Sequence, residues 1–218
     1  AARTPAAGGR VALRLEPGAM PVTTGVPFAR GALASDQHLR VIGDASREIP
    51  SQTRVLQRWN DGSVKWVLLD FDPGPGAVTL EYGSRPRKSD ARSPLRVTES
   101  GGEVTVDTGR IAFAVSKRRF GLIHDVSLGG VKLMREPAAF TLTAADGAVY
   151  TSLAPPEEVV VEENGPVRAV VAVKGHHHGP NGRRLFTYAI RIHTWANRPF
   201  VRIQHTFGND NPTPNFTT

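Results

Sequence analysis

Arginine, lysine and histidine side chains recur at alternate positions in one segment of this chain, residues 174–207, which reads KGHHHGPNGRRLFTYAIRIHTWANRPFVRIQHTF. Successive side chains of a β-strand point to opposite faces, so this alternation predicts a sheet with apolar residues on one face and cations on the other. Arginine pairs with carboxylates through two parallel hydrogen bonds. The segment therefore indicates a sheet surface that binds an acidic polymer.

The register of this predicted sheet follows from two loops, residues 179–182 and 196–199. The first loop places Arg168 opposite His193, and the second places His193 opposite Arg202. A slip by one residue would mix the two faces, so the agreement between the loops supports the assignment. The basic face then carries Arg168, Lys174, His176, His178, Arg191, His193, Arg202 and Gln204.

The opposite face of the same sheet is predicted to be a wall of the core. His205 falls on this side, and we interpret it as an interior, hydrogen-bonded histidine. The apolar members of this face are Val167, Val171, Val173, Phe186, Tyr188, Ile190, Ile192, Val201, Ile203 and Phe207.

β-Elimination from a uronic-acid polymer is the reaction that the basic face suggests. A base removes the proton α to the carboxylate, and a cation stabilises the enolate-like charge that develops. Arg191 or Arg202 would neutralise the carboxylate, and His193 would act as the base. Lys174 would serve as a second donor. The other members of the face would bind the substrate, namely Gln204, Arg168, His176 and His178.

A non-catalytic use of the basic face is the alternative. Crowded cations repel one another, which predicts an acidic partner, either a ligand or another domain of the same protein. The face would otherwise pack on a further domain or face water.

The histidine triplet at residues 176–178 does not predict a metal site. Adjacent strand residues point to opposite faces, so only His176 and His178 converge, and two imidazoles without a third ligand make a weak site. Three further carboxylates, Asp107, Asp125 and Glu163, show no pairing of the kind that a two-carboxylate glycosidase needs.

The composition limits the classes of partner that this chain is expected to bind. The chain has 218 residues, a net charge of +7 and no cysteine, which excludes disulfides and thiolate metal sites. A basic balance favours anionic partners, although it also serves solubility alone. The basic residues are scattered rather than clustered, which argues against nucleic acid or a membrane as partner. The opening residues, AARTPAAGGR, are typical of a secreted or periplasmic protein after signal removal, and equally of a cloned fragment.

Turn signals rich in Gly, Pro and Asn separate many short β-rich runs, which predicts an all-β barrel or sandwich. The polar stretch GSRPRKSDARSP at residues 83–94 marks a boundary. We predict a β-barrel domain over residues 1–85, a linker over 86–101 and an antiparallel β-sandwich over 102–218. Residues after Phe207 read as a loop, so we expect the sandwich to be incomplete.

A second motif, WNDGSVKWVLLDF, begins at Trp59. Asn60-Asp61-Gly62 predicts a turn, and the strand after it is apolar on both faces, as in the interior of a sheet. Asp61, Lys65 and the rings of Trp59 and Trp66 would together make a sugar-stacking patch. We favour the other interpretation, in which both tryptophans fill the core and Asp61 only shapes the turn.

Two groups of residues resemble a known family. TGVPFARG at residues 24–31 and QRWNDGSVKW at 57–66 are similar to the N-terminal barrel of exo-rhamnogalacturonan lyase and YetA-like proteins. ENGPVR at 163–168 and FVRIQHTF at 200–207 resemble the central β-sandwich of that family. The resemblance covers roughly residues 10–210.

The resemblance implies a small RIFT-type barrel, a β-sandwich and then an α/α toroid, with lyase activity on rhamnogalacturonan-like glycan. This chain departs from the family pattern in having no toroid sequence, so part of a family active site is expected to be missing. A divalent cation such as calcium would be supplied in a full-length relative, and no metal is predicted here. Two functions stay open, the front portion of a polysaccharide lyase and a glycan-binding or scaffold module.

Overall fold

The computed structural model describes residues 8–16, 18, 20–87, 89, 92–134 and 138–210. Their regular structure is antiparallel β-sheet with a few 3-10 turns, which confirms the all-β prediction. The chain divides into two compact units between Ser93 and Pro94, inside the segment predicted to be a linker. The opening residues 1–7 and linker residues 88, 90 and 91 lie outside the described part.

The first unit contains two antiparallel sheets, with strand orders β1-β7-β3-β4 and β2-β6-β5. Its strands are β1 (Gly9–Leu13), β2 (Val22–Pro27), β3 (Leu39–Ile42), β4 (Glu48–Ile49), β5 (Ser51–Arg58), β6 (Val64–Phe71) and β7 (Val78–Tyr82). Two 3-10 turns flank β3, at Asp36–His38 and Asp44–Ser46. The core lies between the sheets and includes Leu33, Leu39, Val41, Val64, Val67, Leu69, Phe71 and Leu80.

Strand β6 is the middle strand of its sheet, which confirms the interior position predicted for the sequence after Asn60-Asp61-Gly62. Its odd-numbered residues from Val67 to Phe71 are fully buried. A middle strand pairs with a neighbouring strand on each side and lies in the interior of its sheet. A run of Val, Leu and Phe is typical of such a strand.

The second unit also contains two antiparallel sheets. The smaller has the order β12-β11-β10-β9-β8, and the larger has the order β13-β14-β16-β17-β18, with β15 also pairing β16. The strands of the smaller sheet are β8 (Arg96–Glu99), β9 (Glu103–Asp107), β10 (Ile111–Ser116), β11 (His124–Leu128) and β12 (Val131–Met134). Strand β8 therefore lies within the predicted linker.

The larger sheet carries the basic face. Its strands are β13 (Thr141–Thr143), β14 (Val149–Thr151), β15 (Glu158–Asn164), β16 (Arg168–His178), β17 (Arg184–Trp195) and β18 (Val201–Gly208). The core between the two sheets includes Val104, Val106, Phe113, Val115, Phe120, Ala169, Val171, Val173, Tyr188, Ile190 and Ile192.

The register between β17 and β18 is the predicted one, with His193 opposite Arg202 and Arg191 opposite Gln204. The register between β16 and β17 differs by two residues, since Arg168 lies opposite Trp195 rather than His193. Two features each shift the pairing of β16 and β17 by one residue. The 3-10 turn Pro180–Gly182 lengthens the loop, and Phe186 forms a β-bulge with a φ of 52°. A shift of two preserves the faces, so the predicted basic face is confirmed.

The core side of the sheet is buried along β16 and β17 but not along β18. Ile190 and Ile192 are fully buried, whereas Ile203 and Phe207 are 39% and 48% exposed. The prediction of an interior His205 is wrong, because this histidine is exposed, with its ring 4.8 Å from that of Phe140. Among the described strands β18 lies at the edge of its sheet, which explains the difference.

No helix among the described residues has the length and apolar character that a membrane span requires.

Candidate functional site

Carboxylates on β15 face the cations of the basic face. Lys174 Nζ lies 2.6 Å from Glu158, and an Arg168 Nη lies 3.1 Å from Glu163. The sequence predicts a β-rich run at Val159–Val161, but sequence reasoning did not place the glutamates that flank this run on the basic face. The cations are therefore balanced within the sheet itself, and their crowding does not require an external acid.

Arg191 makes the most complete of these pairs. Its Nε and Nη2 donate to the two oxygens of Glu162, at 2.7 and 2.8 Å. The hydrogen bond from Arg191 lowers the pKa of the Glu162 carboxyl against the opposing effect of its burial. Glu162 reaches this position because β15 has an irregularity between Val161 and Glu163. Both nitrogens that would bind a substrate carboxylate side-on are thus already occupied.

His176 lies between two carboxylates. Its ring nitrogens are 2.7 Å from Glu157 and 2.7 Å from Asp210, an arrangement that favours the protonated imidazole, which donates to both carboxylates. The hydrogen bond to Asp210 raises the pKa of His176, burial opposes this, and the hydrogen bond to Glu157 reinforces it. The contact ties the residues just after β18 to those just before β15.

His176→Gln is expected to lower the free energy of unfolding at pH 6 by roughly 0.5 kcal/mol, the scale of a partly exposed ion pair. The pKa of His176 is raised on folding, so its contribution is fully present below the unfolded value and is lost as the pH rises through the folded value. Urea unfolding at pH 6 and at pH 9 measures this. Equal effects of the substitution at both pH values would contradict the assignment.

The three histidines of the triplet separate as the alternation predicts. His177 is fully buried on the core side, where its Nδ1 donates to the carbonyl oxygen of Phe186 at 3.2 Å. His178 lies on the same face as His176, and burial lowers its pKa. The described residues contain no group of three or more potential metal ligands of the His, Cys, Asp and Glu types.

His193, the predicted base, is buried beside two arginines. Only 7% of its surface is exposed. Burial, followed by the charges of Arg202 and Arg168, lowers its pKa to about 4, although a hydrogen bond with Gln204 favours the charged form. Arg168 Nη1 donates to His193 Nδ1 at 3.5 Å, as a neutral imidazole permits. The imidazole is therefore neutral at physiological pH and is a weak base.

Arg202 is an exposed cation of the face, as is Lys174, which contacts Glu158. Its guanidinium lies 5.2 Å from the ring centroid of Trp195, which is itself buried. The Trp195 ring stacks at 6.2 Å on that of His193 and contacts Phe200 at 5.8 Å. Arg202 and Gln204 are both exposed and lie next to His193 and Arg191, their cross-strand partners on β17. A guanidinium within about 6 Å of an indole ring centroid is attracted by the ring face, which helps to hold Arg202 in place.

The structure thus brings all eight predicted side chains onto one face, but it divides them into four groups. Arg202 and Gln204 are exposed, and His193 is buried. His178 is half-buried, and the others contact carboxylates, namely Arg168, Lys174, His176 and Arg191. Sequence reasoning missed Trp195 as the support of Arg202, although it stands two residues from His193 in the same strand.

The aromatic residues of the first unit do not lie where the favoured interpretation placed them. Trp66 is 39% exposed and Trp59 is half-buried, so neither fills the core. Trp59 Nε1 donates to the carbonyl oxygen of Phe28 at 3.0 Å, and Lys65 Nζ lies 4.7 Å from its ring centroid. Asp61 accepts hydrogen bonds from the backbone and hydroxyl of Ser63, which confirms its role in the turn.

Comparison with known families agrees with both units. Residues 95–217, more than half of the chain, match the model of the PcRGLX-like protein central β-sandwich domain. Residues 13–72 match the model of the PcRGLX-like N-terminal RIFT barrel domain. The two units are thus a RIFT barrel and a central β-sandwich, the parts of a rhamnogalacturonan lyase-related module.

The chain belongs to the PcRGLX-like family. It is 24% identical over 198 residues to the uncharacterized protein YetA of Bacillus subtilis (strain 168). The match covers 85% of this chain and 23% of YetA, so the chain spans about a quarter of the length of that relative.

Proposed function

We propose that this chain is a glycan-recognition module that binds a carboxylate-bearing polymer of the rhamnogalacturonan type, outside the cytoplasm. The observation that carries the proposal is the exposed guanidinium of Arg202, which lies over the ring of Trp195 on the same strand as Gln204. A planar guanidinium matches the two oxygens of a carboxylate, and a neighbouring amide both donates to and accepts from sugar hydroxyls.

Recognition is favoured over β-elimination by the state of the other residues. A base must lie within hydrogen-bond reach of the proton that it removes, and His193 is 7% exposed with a pKa of about 4. Arg191 and Lys174, the expected electrophilic partners, contact Glu162 and Glu158. These contacts support a module that holds the polymer, with bond cleavage assigned to another part of a longer protein.

Arg202→Ala is expected to weaken binding of a uronate polymer about tenfold or more, because a charge-assisted hydrogen bond contributes roughly 1.5–3 kcal/mol. Isothermal titration with polygalacturonate and with rhamnogalacturonan measures this. Lys132→Ala is the matched control, since it removes one exposed positive charge from β12 in the same unit.

The ultraviolet absorbance of the same mixtures reports the unsaturated product of β-elimination. Binding without a rise in absorbance supports the recognition module. A rise that Arg202→Ala abolishes would instead show that this chain cleaves the polymer. If Arg202→Ala and Lys132→Ala weaken binding equally, the interaction is general charge attraction, and the assignment of Arg202 as the carboxylate-binding residue is overturned.

A further inference from the structure

A cavity of about 680 Å3 opens on the first unit, at the ends of strands that pair with β7. Arg10 on β1 and Arg40 on β3 both lie directly opposite Glu81 on β7. Cross-strand partners share a face of the sheet, so the topology itself places an arginine on either side of one carboxylate. Arg85, Tyr82 and Ser84 complete the polar part of the lining.

Glu81 fixes the two arginines. It is only 4% exposed, and it receives Arg10 on one oxygen and Arg40 Nε on the other, the latter at 2.7 Å. Burial opposes the ionisation of Glu81, but the hydrogen bond and charge of Arg40, together with Arg10, lower its pKa. The carboxylate is therefore ionised, and it orients both guanidinium groups before any ligand arrives.

The cavity has an excess of positive charge. Three arginines, Arg10, Arg40 and Arg85, stand against the single carboxylate of Glu81, which leaves two positive charges. A guanidinium has five N–H donors, and the contacts with Glu81 use one nitrogen of each partner arginine. Within the part of the chain that the structure describes, no carboxylate forms an ion pair with the exposed Arg85.

Tyr82 follows Glu81 in β7, and its ring lies on the core side of the strand, because neighbouring strand residues point to opposite faces. Its ring is held edge-on to Phe28 at 5.2 Å between centroids. A Cβ at Gly9 would lie 2.7 Å from the Tyr82 hydroxyl, so this glycine allows the ring to lie against the backbone of β1. A volume of roughly 300–1,000 Å3 with a few convergent polar groups is typical of sites for small ligands.

We propose that this cavity is a binding site for a small polar molecule that carries a compact oxyanion, held by Arg10, Arg40 and Arg85. The shared chemistry is an oxyanion with at least two oxygens, which a sugar carboxylate and a phosphate monoester both supply. The cavity shares no residue with the Arg202 surface, since its lining comes entirely from residues 8–86 of the first unit.

Isothermal titration of the whole chain with digalacturonate, glucose 6-phosphate and glucose tests the proposal. We expect at least one of the two oxyanions to bind and glucose to fail, and the stronger binder identifies the source of the anion. Each titration is repeated in the Arg202→Ala variant. Binding that persists there belongs to the cavity, so failure of this proposal is distinguishable from failure of the one made for the sandwich.

Arg85→Ala is expected to weaken oxyanion binding about tenfold, since it removes an exposed cation and leaves Glu81 and its two arginine partners in place. Arg14→Ala, which removes an exposed charge elsewhere in the same unit, leaves binding unchanged. Glu81→Gln raises the excess to three positive charges and is expected to tighten binding several-fold, whereas a purely structural role of Glu81 predicts no gain.

The proposal is overturned if neither oxyanion binds, or if Arg85→Ala and Arg14→Ala weaken binding equally. Circular dichroism confirms that each variant is folded. If Glu81→Gln fails to fold, the comparison of Arg85→Ala with Arg14→Ala decides the matter by itself.

Discussion

Gly175→Ala is expected to lower the free energy of unfolding by about 1–3 kcal/mol, the cost of overpacking a dense core. A Cβ at this position of β16 would lie 2.5 Å from the hydroxyl and 2.8 Å from Cζ of Tyr188. The ring of Tyr188 cannot retreat, because it is buried and packs on Phe120 and His177 at centroid distances of 5.4 and 5.3 Å. Urea unfolding at pH 7 measures the change.

Gly101→Ala is the matched control for this substitution. A Cβ there would meet no atom within 4 Å, and Gly101 lies in the exposed turn between β8 and β9. Replacing glycine at such a position stabilises slightly or has no effect, because the unfolded chain loses freedom. Similar free energies of unfolding for the two variants would contradict the packing of Tyr188 on Gly175.

The second large effect concerns pH. The pKa of His193 is about 4 in the folded chain against an ordinary value of 6.5, so the unfolded chain takes up this proton first as the pH falls. Stability is then lost between pH 6.5 and 4, by about 3 kcal/mol from this one group. His193→Gln keeps a neutral polar side chain at the site and is expected to remove that part of the loss.

Urea unfolding of both proteins at pH 7.0, 5.5 and 4.5 tests this expectation. Carboxyl groups also titrate in this pH range, but they contribute equally to the stability of both proteins, so their contribution cancels in the difference between the two free energies of unfolding. We expect the variant to gain relative to the parent as the pH falls. Parallel curves would mean that His193 protonates as freely in the folded chain as in the unfolded chain.

Much of the sandwich sheet could be predicted from alternation alone. The side-chain period of a strand is two, so the faces of β16, β17 and β18 follow from the order of Val, Ile, Arg and His. The error of two residues in the first hairpin has two sources, the 3-10 turn Pro180–Gly182 in the loop and the bulge at Phe186. The φ of 52° at Phe186 could not be predicted from the sequence, because an aromatic residue rarely adopts it. Because that error preserved the faces, the eight residues were grouped correctly from an incorrect register.

The charge balance of the site could not be predicted from the sequence in the same way. A count of cations on β16–β18 predicted repulsion, while the four glutamates around β15 that relieve it come from a different strand. Only the pairing of β15 with β16 brings them to the same face. The burial of His193 and the exposure of Ile203 likewise depend on which strand lies at the edge of the sheet. A local sequence pattern does not predict the order of the strands.

The glutamates around β15 also act as competitors. A carboxylate tethered to the same chain has an effective concentration in the millimolar range or above, which any free ligand must exceed to displace it from Arg191 or Lys174. A single acidic sugar offers one carboxylate at its bulk concentration and is outcompeted. In the proposed complex, a polymer anchored at Arg202 would present its next carboxylates at a comparably high local concentration. The sheet would thus discriminate chain length as well as charge, ignoring free monosaccharide and responding to intact glycan.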